Sequence, residues 1–184
     1  MKKVFKTISI VLSILLFLAG LSAGVFMFLN VKDGLPEHQE KMGSLSVMKE
    51  KKSNGNNVIE VKESIKKSEM EEEWPDDTDE YSLQEGIHGM SHQKVISDEK
   101  WGFVPMTHQR INRLIKVVHI NKNKYKHEDV YLDILNRWKG NDFSKADEDH
   151  NAIWELQNGN VGEANGVMTP KEEKVFIEKW YDVE

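Results

Sequence analysis

The feature that most constrains this chain is an uncharged run of twenty-five residues near its start, from Thr7 to Val31. The run is dense in Ile, Leu, Val and Phe and follows three lysines within the first six residues. As a helix rising about 1.5 Å per residue it would reach roughly 37 Å, enough to cross the ~30 Å hydrocarbon core of a bilayer with some tilt. The sequence therefore predicts a single N-terminal transmembrane helix in residues 1–31, whose partner is the lipid bilayer through residues 7–31.

A cleaved secretory signal is the alternative interpretation of this run. The basic start fits a signal peptide, and small residues mark a weak candidate cleavage point near Ser22. The apolar run continues past that point to Leu29, where a mature secreted chain would already be polar. Lysines are denser before the run than after it, which favours a cytoplasmic N-terminus and an extracytoplasmic C-terminal domain. We therefore expect a single-pass protein of the cell membrane, with secretion after cleavage near Ser22 as the alternative.

Composition narrows the classes of function. The 184 residues carry a formal net charge of −6, which lacks the basic excess of a nucleic-acid binder, so we expect no nucleic-acid partner. The absence of Cys excludes disulfides, thiolate metal sites, a Cys nucleophile and a lipoprotein anchor. Beyond the apolar run there is room for one domain of ordinary size.

Residues 32–80 are predicted to be a polar, acidic and largely disordered tether. This stretch contains one aromatic residue, Trp74, and is otherwise rich in Lys, Glu, Ser and Asn. Such a composition buries too little apolar surface to offset the chain entropy lost on ordering. Residues 58–67 could form a short strand or an amphipathic turn, and the acidic run at 69–80 does not fit a calcium-binding loop.

Residues 81–184 are predicted to form an all-α domain, a compact bundle of about five short helices. The first helix begins at a capping box, Ser82 to Glu85, and the second at Thr107. The third spans about 126–139 and ends at Gly140, and the fourth begins near Ser144. The fifth begins at Thr169, which is followed by a proline in the first turn. No alternating strand pattern is evident here, which favours a helical bundle.

Five short strings in this domain carry a resemblance to a known family. They are His88-Gly-Met-Ser-His-Gln-Lys-Val95, Lys100-Trp-Gly102, Pro105-Met-Thr107, Ile134-Leu-Asn-Arg-Trp138 and His150-Asn-Ala-Ile-Trp154. Together they resemble a family of small exported or membrane-anchored proteins of Gram-positive bacilli whose C-terminal domain has no known function. The resemblance implies a location in the bacterial envelope and a helical domain, and it implies no activity, ligand or catalytic residue.

His88 and His92 form the most suggestive constellation for chemistry. Four residues apart on a helix, their rings lie on the same face one turn apart, as helices present two imidazoles to a metal. The residue after the first histidine is Gly89, where a zincin has its catalytic Glu. A third ligand could come from a carboxylate or from another histidine of the domain; these are His108, His119, His127 and His150. The alternative is that both histidines are structural or surface residues without a metal.

Two functions from different classes follow. The first is an uncharacterised membrane-tethered, extracytoplasmic helical module that binds another protein of the cell envelope without catalysis, with Trp101 as the candidate surface aromatic. The second is a metal-binding protein or metal-dependent hydrolase that uses the His88/His92 pair, with Zn²⁺ as the possible cofactor. No catalytic residue is identified, and the sequence favours the non-catalytic function.

Overall fold

The computed structural model describes residues 44–45, 47–53 and 56–183, which lie in a compact unit spanning Lys41–Glu184. Six short strands form three two-stranded sheets in this part of the chain. The strands are β1 (Ser44–Leu45), β2 (Val47–Ser53), β3 (Asn56–Lys62), β4 (Val95–Ile96), β5 (Gly166–Val167) and β6 (Asp182–Val183). Strands β2 and β3 form an antiparallel hairpin, β4 and β5 pair antiparallel, and β1 and β6 pair parallel.

Six helices make up about half of the described chain. They are α1 (Lys67–Glu73), α2 (Glu80–Ser91), α3 (His108–Asn121), α4 (Glu128–Lys139), α5 (Ala146–Leu156) and α6 (Pro170–Trp180). The last five lie where the sequence predicts helices, so the prediction of a broadly helical fold is confirmed. The prediction of an all-α fold is wrong in detail, because the hairpin and the short strand pairs accompany the helices.

Local sequence signals place several helix ends correctly. The side chain of Thr107 accepts a hydrogen bond from the backbone N–H of Arg110, and Thr169 forms a capping box with Glu172. The start of α2 differs from the prediction. Asp79 is its N-cap and accepts from the backbone N–H of Ser82, so the helix begins before the predicted capping box.

The main core lies between the helices. Helix α3 packs against α4, and α2 packs against α5. Their apolar stripes meet in one cluster, and burying each large side chain there contributes roughly 1.5–3 kcal/mol. Fully buried members include Leu83, Ile87, Met90, Leu114, Val118, Tyr131, Leu135, Trp138 and Ile153. The pairing of α2 with α5 is the contact that positions the candidate site.

The segment before α2 differs from the predicted disordered tether. It contains the β2–β3 hairpin and helix α1, and its apolar residues Val58, Ile59 and Val61 are buried. Trp74 is also buried, in the main cluster. A few apolar residues are enough to order this segment, because they pack against the helical domain and do not have to form a separate core.

A second cluster joins the two ends of the described chain. Leu45 of β1 is fully buried beside Ile177 and Tyr181, and Phe103 packs edge-on against the Tyr181 ring at 5.0 Å between centroids. The parallel pairing of β1 with β6 sets Leu45 opposite Val183. The first described residues are therefore part of the folded unit.

The predicted membrane segment lies outside the described residues. Residues 1–31, the alternative cleavage point near Ser22, and positions 32–43 of the predicted tether all fall in this category. Within the described ranges, no helix combines the length and apolar character needed to cross a bilayer.

Candidate metal centre

Three histidines from two helices meet at the end of α2. His88 lies in the last turn of α2, and His92 is the C-cap of that helix. His150 lies on α5, which packs against α2. The i, i+4 spacing sets the first two rings on one face, as the sequence predicts, and helix packing adds the third.

The three rings are close enough to share one ion. Each histidine has a ring nitrogen that lies within 4.8 Å of a ring nitrogen of each of the other two. The ring centroids are 4.9 Å apart for His88 and His92, 4.4 Å for His88 and His150, and 5.4 Å for His92 and His150. Among the described residues, no other group of three His, Asp or Glu side chains is gathered in this way.

The His88 ring is oriented by a side-chain relay. Nδ1 of His88 lies 2.5 Å from Oε1 of Gln157, and the Gln157 amide donates to Glu85 Oε1 at 2.6 Å. Because a carboxylate can only accept, the amide NH₂ faces Glu85 and the amide oxygen faces the ring. Nδ1 of His88 therefore carries the proton and donates it, and Nε2 keeps its lone pair.

Backbone carbonyl groups orient the other two rings. His92 Nδ1 donates to the carbonyl oxygen of Gly102 at 2.7 Å, and His150 Nε2 donates to that of Gly162 at 3.0 Å. Both glycines have positive φ, +79° and +89°, a region that side chains disfavour. At Gly162 a Cβ atom would also lie 2.8 Å from the carbonyl oxygen of Glu99. Glycine at these turns aims each carbonyl at a histidine ring.

In each ring the other nitrogen therefore keeps its lone pair. These nitrogens are Nε2 of His88, Nε2 of His92 and Nδ1 of His150. The Ser91 hydroxyl lies 2.8 Å from Nδ1 of His150 and 2.5 Å from the carbonyl oxygen of His88. Its single proton can reach only one of these two acceptors at a time, and an ion at Nδ1 of His150 would require the Ser91 hydroxyl to move away from that nitrogen. A histidine that binds a metal through one ring nitrogen nearly always donates the N–H of its other ring nitrogen, as these three rings donate theirs to carbonyl oxygens.

Burial keeps the three imidazoles neutral. Desolvation lowers the pKa of His92 to about 3, and the neighbouring His88, His150 and Lys100 add to the shift. Desolvation and the nearby His88 lower the pKa of His150 to about 4, and desolvation lowers the pKa of His88. Neutral imidazole is the form that binds metals, so protons compete weakly for this site at neutral pH.

The cluster lies at one side of an open groove of about 670 Å³. His88 and His92 line the groove, whereas His150 is fully buried behind them. The groove wall includes Trp101, whose side chain is 75% exposed, and the half-buried Trp154. The predicted surface aromatic therefore lies beside the predicted histidine pair.

Other candidate features of the sequence have structural roles in the fold. Asp76 of the acidic run accepts a hydrogen bond from Arg113, and Glu73 binds Arg110. Asp149 of α5 is buried and accepts from the indole N–H of Trp138 at 2.8 Å. The histidines proposed as alternative third ligands are not part of the cluster; these are His108, His119 and His127.

Sequence reasoning missed the residues that orient the rings. Gln157, Ser91 and the two glycine carbonyls have no motif that connects them to His88 or His92. His150 was one of several possible third ligands, and its local pattern does not distinguish it from the others. Only the contact between α2 and α5 selects it.

The histidine cluster lies inside a region shared with other proteins. Residues 87–178 match a family of unknown function, DUF6241. The chain belongs to this family. The matched region of DUF6241 contains all three histidines, Gln157 and both positive-φ glycines. No curated protein and no solved structure matches the chain.

Proposed function

We propose that this DUF6241 protein binds one divalent transition-metal ion through His88, His92 and His150. The observation that supports the proposal is the convergence of three neutral imidazoles, each with its second ring N–H donated to a carbonyl oxygen. The three rings also lie close together, with one nitrogen of each within 4.8 Å of one nitrogen of each of the others. Imidazole suits Zn²⁺, Cu²⁺ and Ni²⁺, and a three-histidine site fits tetrahedral Zn²⁺.

Binding requires a small closure of the cluster. With Zn–N bonds of about 2.0–2.1 Å, tetrahedral ligand atoms lie about 3.4 Å apart. The nitrogens, which lie within 4.8 Å, must therefore approach by up to about 1.4 Å. The His88 side chain is partly exposed at the groove and has room to rotate, whereas the distance between the buried His92 and His150 rings changes only if those rings or their helices move.

Zinc titration of the full-length chain, purified in a mild detergent, tests the proposal. We expect one Zn²⁺ per chain by elemental analysis and a calorimetric binding isotherm with one site. His88→Gln and His150→Gln each remove a ligand, and we expect each to weaken binding by more than the about 10–100-fold typical of residues that only orient ligands. His119→Ala is the matched control, because this exposed histidine lies outside the cluster. Stoichiometric zinc that survives both cluster substitutions would overturn the proposal.

A second proposal concerns a binding partner in the cell envelope. Trp101 is the most exposed large apolar side chain in the described chain, and exposed aromatic residues are common at interfaces. A photo-crosslinking amino acid at position 101 should capture one recurrent envelope protein in intact cells. The same amino acid at Val175, which is 61% exposed on α6, is the control. Identical products from both positions would contradict a specific partner at Trp101.

We also propose that residues 7–31 anchor the chain in the cell membrane with the C-terminal domain outside the cytoplasm. The support is the length of the uncharged run and the cluster of lysines before it. The full-length chain should sediment with membranes after alkaline washing, and protease added to intact protoplasts should degrade the domain. Deletion of residues 7–31 should leave the chain in the cytosol. A full-length chain found in the medium would instead support cleavage near Ser22.

A further inference from the structure

The histidine cluster supplies three ligands and no fourth. No Asp or Glu among the described residues joins the group formed by His88, His92 and His150. Structural zinc sites have four protein ligands, whereas sites with three protein ligands keep a fourth position for water or a substrate. A metal bound here would therefore have a coordination position for a molecule from outside the protein. This step rests on the proposed metal-binding function.

Burial indicates where that position points. His150 is fully buried and His92 is 3% exposed, so the protein covers one side of the cluster. His88 and His92 line the groove, and His150 does not. A ligand at that fourth position would therefore reach the metal from the groove.

The groove that the cluster lines contains several aromatic rings. Trp101 directly precedes Gly102, the residue whose carbonyl oxygen binds the His92 ring. The Trp101 indole N–H donates to Glu99 at 3.1 Å, which helps to hold the ring at the edge of the groove. Trp154 and Tyr81 also line the groove. These rings favour a ligand with a flat apolar body.

Charge restricts the ligand further. Glu85 and Glu99 both line the groove, so a highly charged anion such as a nucleotide would be repelled. A carboxylate or hydroxamate carries at most one negative charge, and its oxygens can bind zinc. The groove thus suits a ligand with one such group attached to an aromatic body.

We infer that the metal centre of this protein binds, at its open position, an organic oxygen-donor ligand whose aromatic body lies against Trp101. The metal would bind the donor oxygens of the ligand, and contact with the Trp101 indole would favour ligands that have an aromatic body.

Cobalt substitution tests this inference, because tetrahedral Co²⁺ has visible absorption bands that change with its ligands. The full-length chain loaded with Co²⁺ is titrated with benzohydroxamate and, in parallel, with acetohydroxamate, which has the same donor group without the ring. We expect both to change the bands, with benzohydroxamate binding about three- to tenfold more tightly through its ring contact. In Trp101→Ala most of this difference in affinity should disappear, and the Trp154 and Tyr81 rings that remain in the groove would account for any residual difference. Val175→Ala, an exposed substitution on α6, should keep the difference.

The outcomes separate the two proposals. If no cobalt bands form, the metal site itself is wrong and the inference falls with it. If the bands form and neither hydroxamate changes them, the metal site stands and the open position is refuted. If both hydroxamates bind equally to the unaltered chain, the role of Trp101 is refuted. Circular dichroism of Trp101→Ala confirms that any loss comes from the ligand contact and not from unfolding.

Discussion

At the scale of single residues, the orientation of the imidazole rings is the decisive feature of the site. A neutral histidine has one N–H and one lone pair, so the partner of the N–H decides which nitrogen can bind a metal. The carbonyl oxygens of Gln157, Gly102 and Gly162 each take one N–H. Among these partners only Gln157 acts through its side chain, so it is the one that mutation can remove cleanly.

Replacing Gln157 should weaken metal binding while the ligands stay in place. In Gln157→Leu the His88 ring loses its acceptor and rotates more freely, so we expect the zinc affinity to fall about 10–100-fold. Calorimetric titration measures the effect. Gln109→Leu is the matched control, because Gln109 is exposed on α3 and is not bound to a cluster histidine. Unchanged affinity in Gln157→Leu would show that the amide does not orient the ligand.

The metal-free protein should lose stability as the pH falls from about 6.5 to about 4. The folded chain depresses the pKa of His92 to about 3 and that of His150 to about 4, from an ordinary value of 6.5. In this window the unfolded chain binds protons at these positions and the folded chain does not. Stability is therefore complete above the unfolded pKa and falls by up to about 1.4 kcal/mol per pH unit for each histidine. Lys100 donates to the carbonyl oxygen of His92, and its charge opposes protonation of the rings.

Urea unfolding in the presence of a chelator, at intervals between pH 7.5 and 4.5, checks this dependence. Removal of a buried neutral histidine should weaken the dependence of the free energy of unfolding on pH. The stability of His150→Gln should therefore change less with pH than that of the unaltered chain. His119→Ala should follow the unaltered chain. A urea midpoint independent of pH between 6.5 and 4.5 would contradict the expectation.

At the scale of elements, two arginines of α3 hold the segment that precedes α2. Arg110 binds Glu63 at 2.8 Å and Glu73 at 2.6 Å, and its own side chain is 6% exposed. Arg113 donates to the backbone carbonyl of Trp74 at 2.8 Å and to Asp76. These bonds satisfy charges that would otherwise be costly to bury, and they join α1 and Glu63, which directly follows β3, to the helical domain.

Removing Arg110 should loosen that attachment. Arg110→Ala leaves Glu63 and Glu73 without their partner, and both are only partly exposed, so we expect a loss of about 1–3 kcal/mol in the free energy of unfolding. Lys116→Ala is the control on the same helix, because its bond to Asp76 is exposed and should change stability by less than about 0.5 kcal/mol. Denaturant unfolding measures both. Equal stabilities for the two variants would show that the segment is not held by Arg110.

At the scale of the whole molecule, residues distant in the chain close the fold. The β1–β6 pair joins the first described residues to the last, and Leu45 is fully buried in the cluster that contains Ile177 and Tyr181. If residues before 81 were only a tether, their truncation would leave the domain unaffected. The observed packing instead makes the described residues before position 81 part of the domain, so their removal should lower its stability.

Leu45→Ala should therefore destabilise the whole domain. Removing this buried side chain leaves a cavity, and we expect a loss of about 2–4 kcal/mol. Thermal unfolding followed by circular dichroism checks it. Val175→Ala, an apolar truncation at an exposed position, should change the midpoint little. A midpoint unaffected by Leu45→Ala would restore the tether interpretation for the start of the described chain.

The sequence by itself determined the helices and the histidine pair. Helical periodicity, the caps at Thr107 and Thr169 and the stop at Gly140 are local signals, because each involves atoms three or four residues apart. The common face of His88 and His92 follows from the same local geometry. These features needed no knowledge of which helices pack together.

Only the tertiary structure decided the rest. His88 contacts His150, 62 positions later in the chain, and Gln157, 69 positions later. The sequence around each of these residues contains no signal for either contact. The hairpin and α1 are ordered because they cover apolar and charged surfaces of the helices, a stabilisation absent from their own composition. The packing of α2 on α5 depends on the whole chain and not on either helix alone. This packing brings His150 to the His88/His92 pair and so forms the three-histidine cluster at the groove.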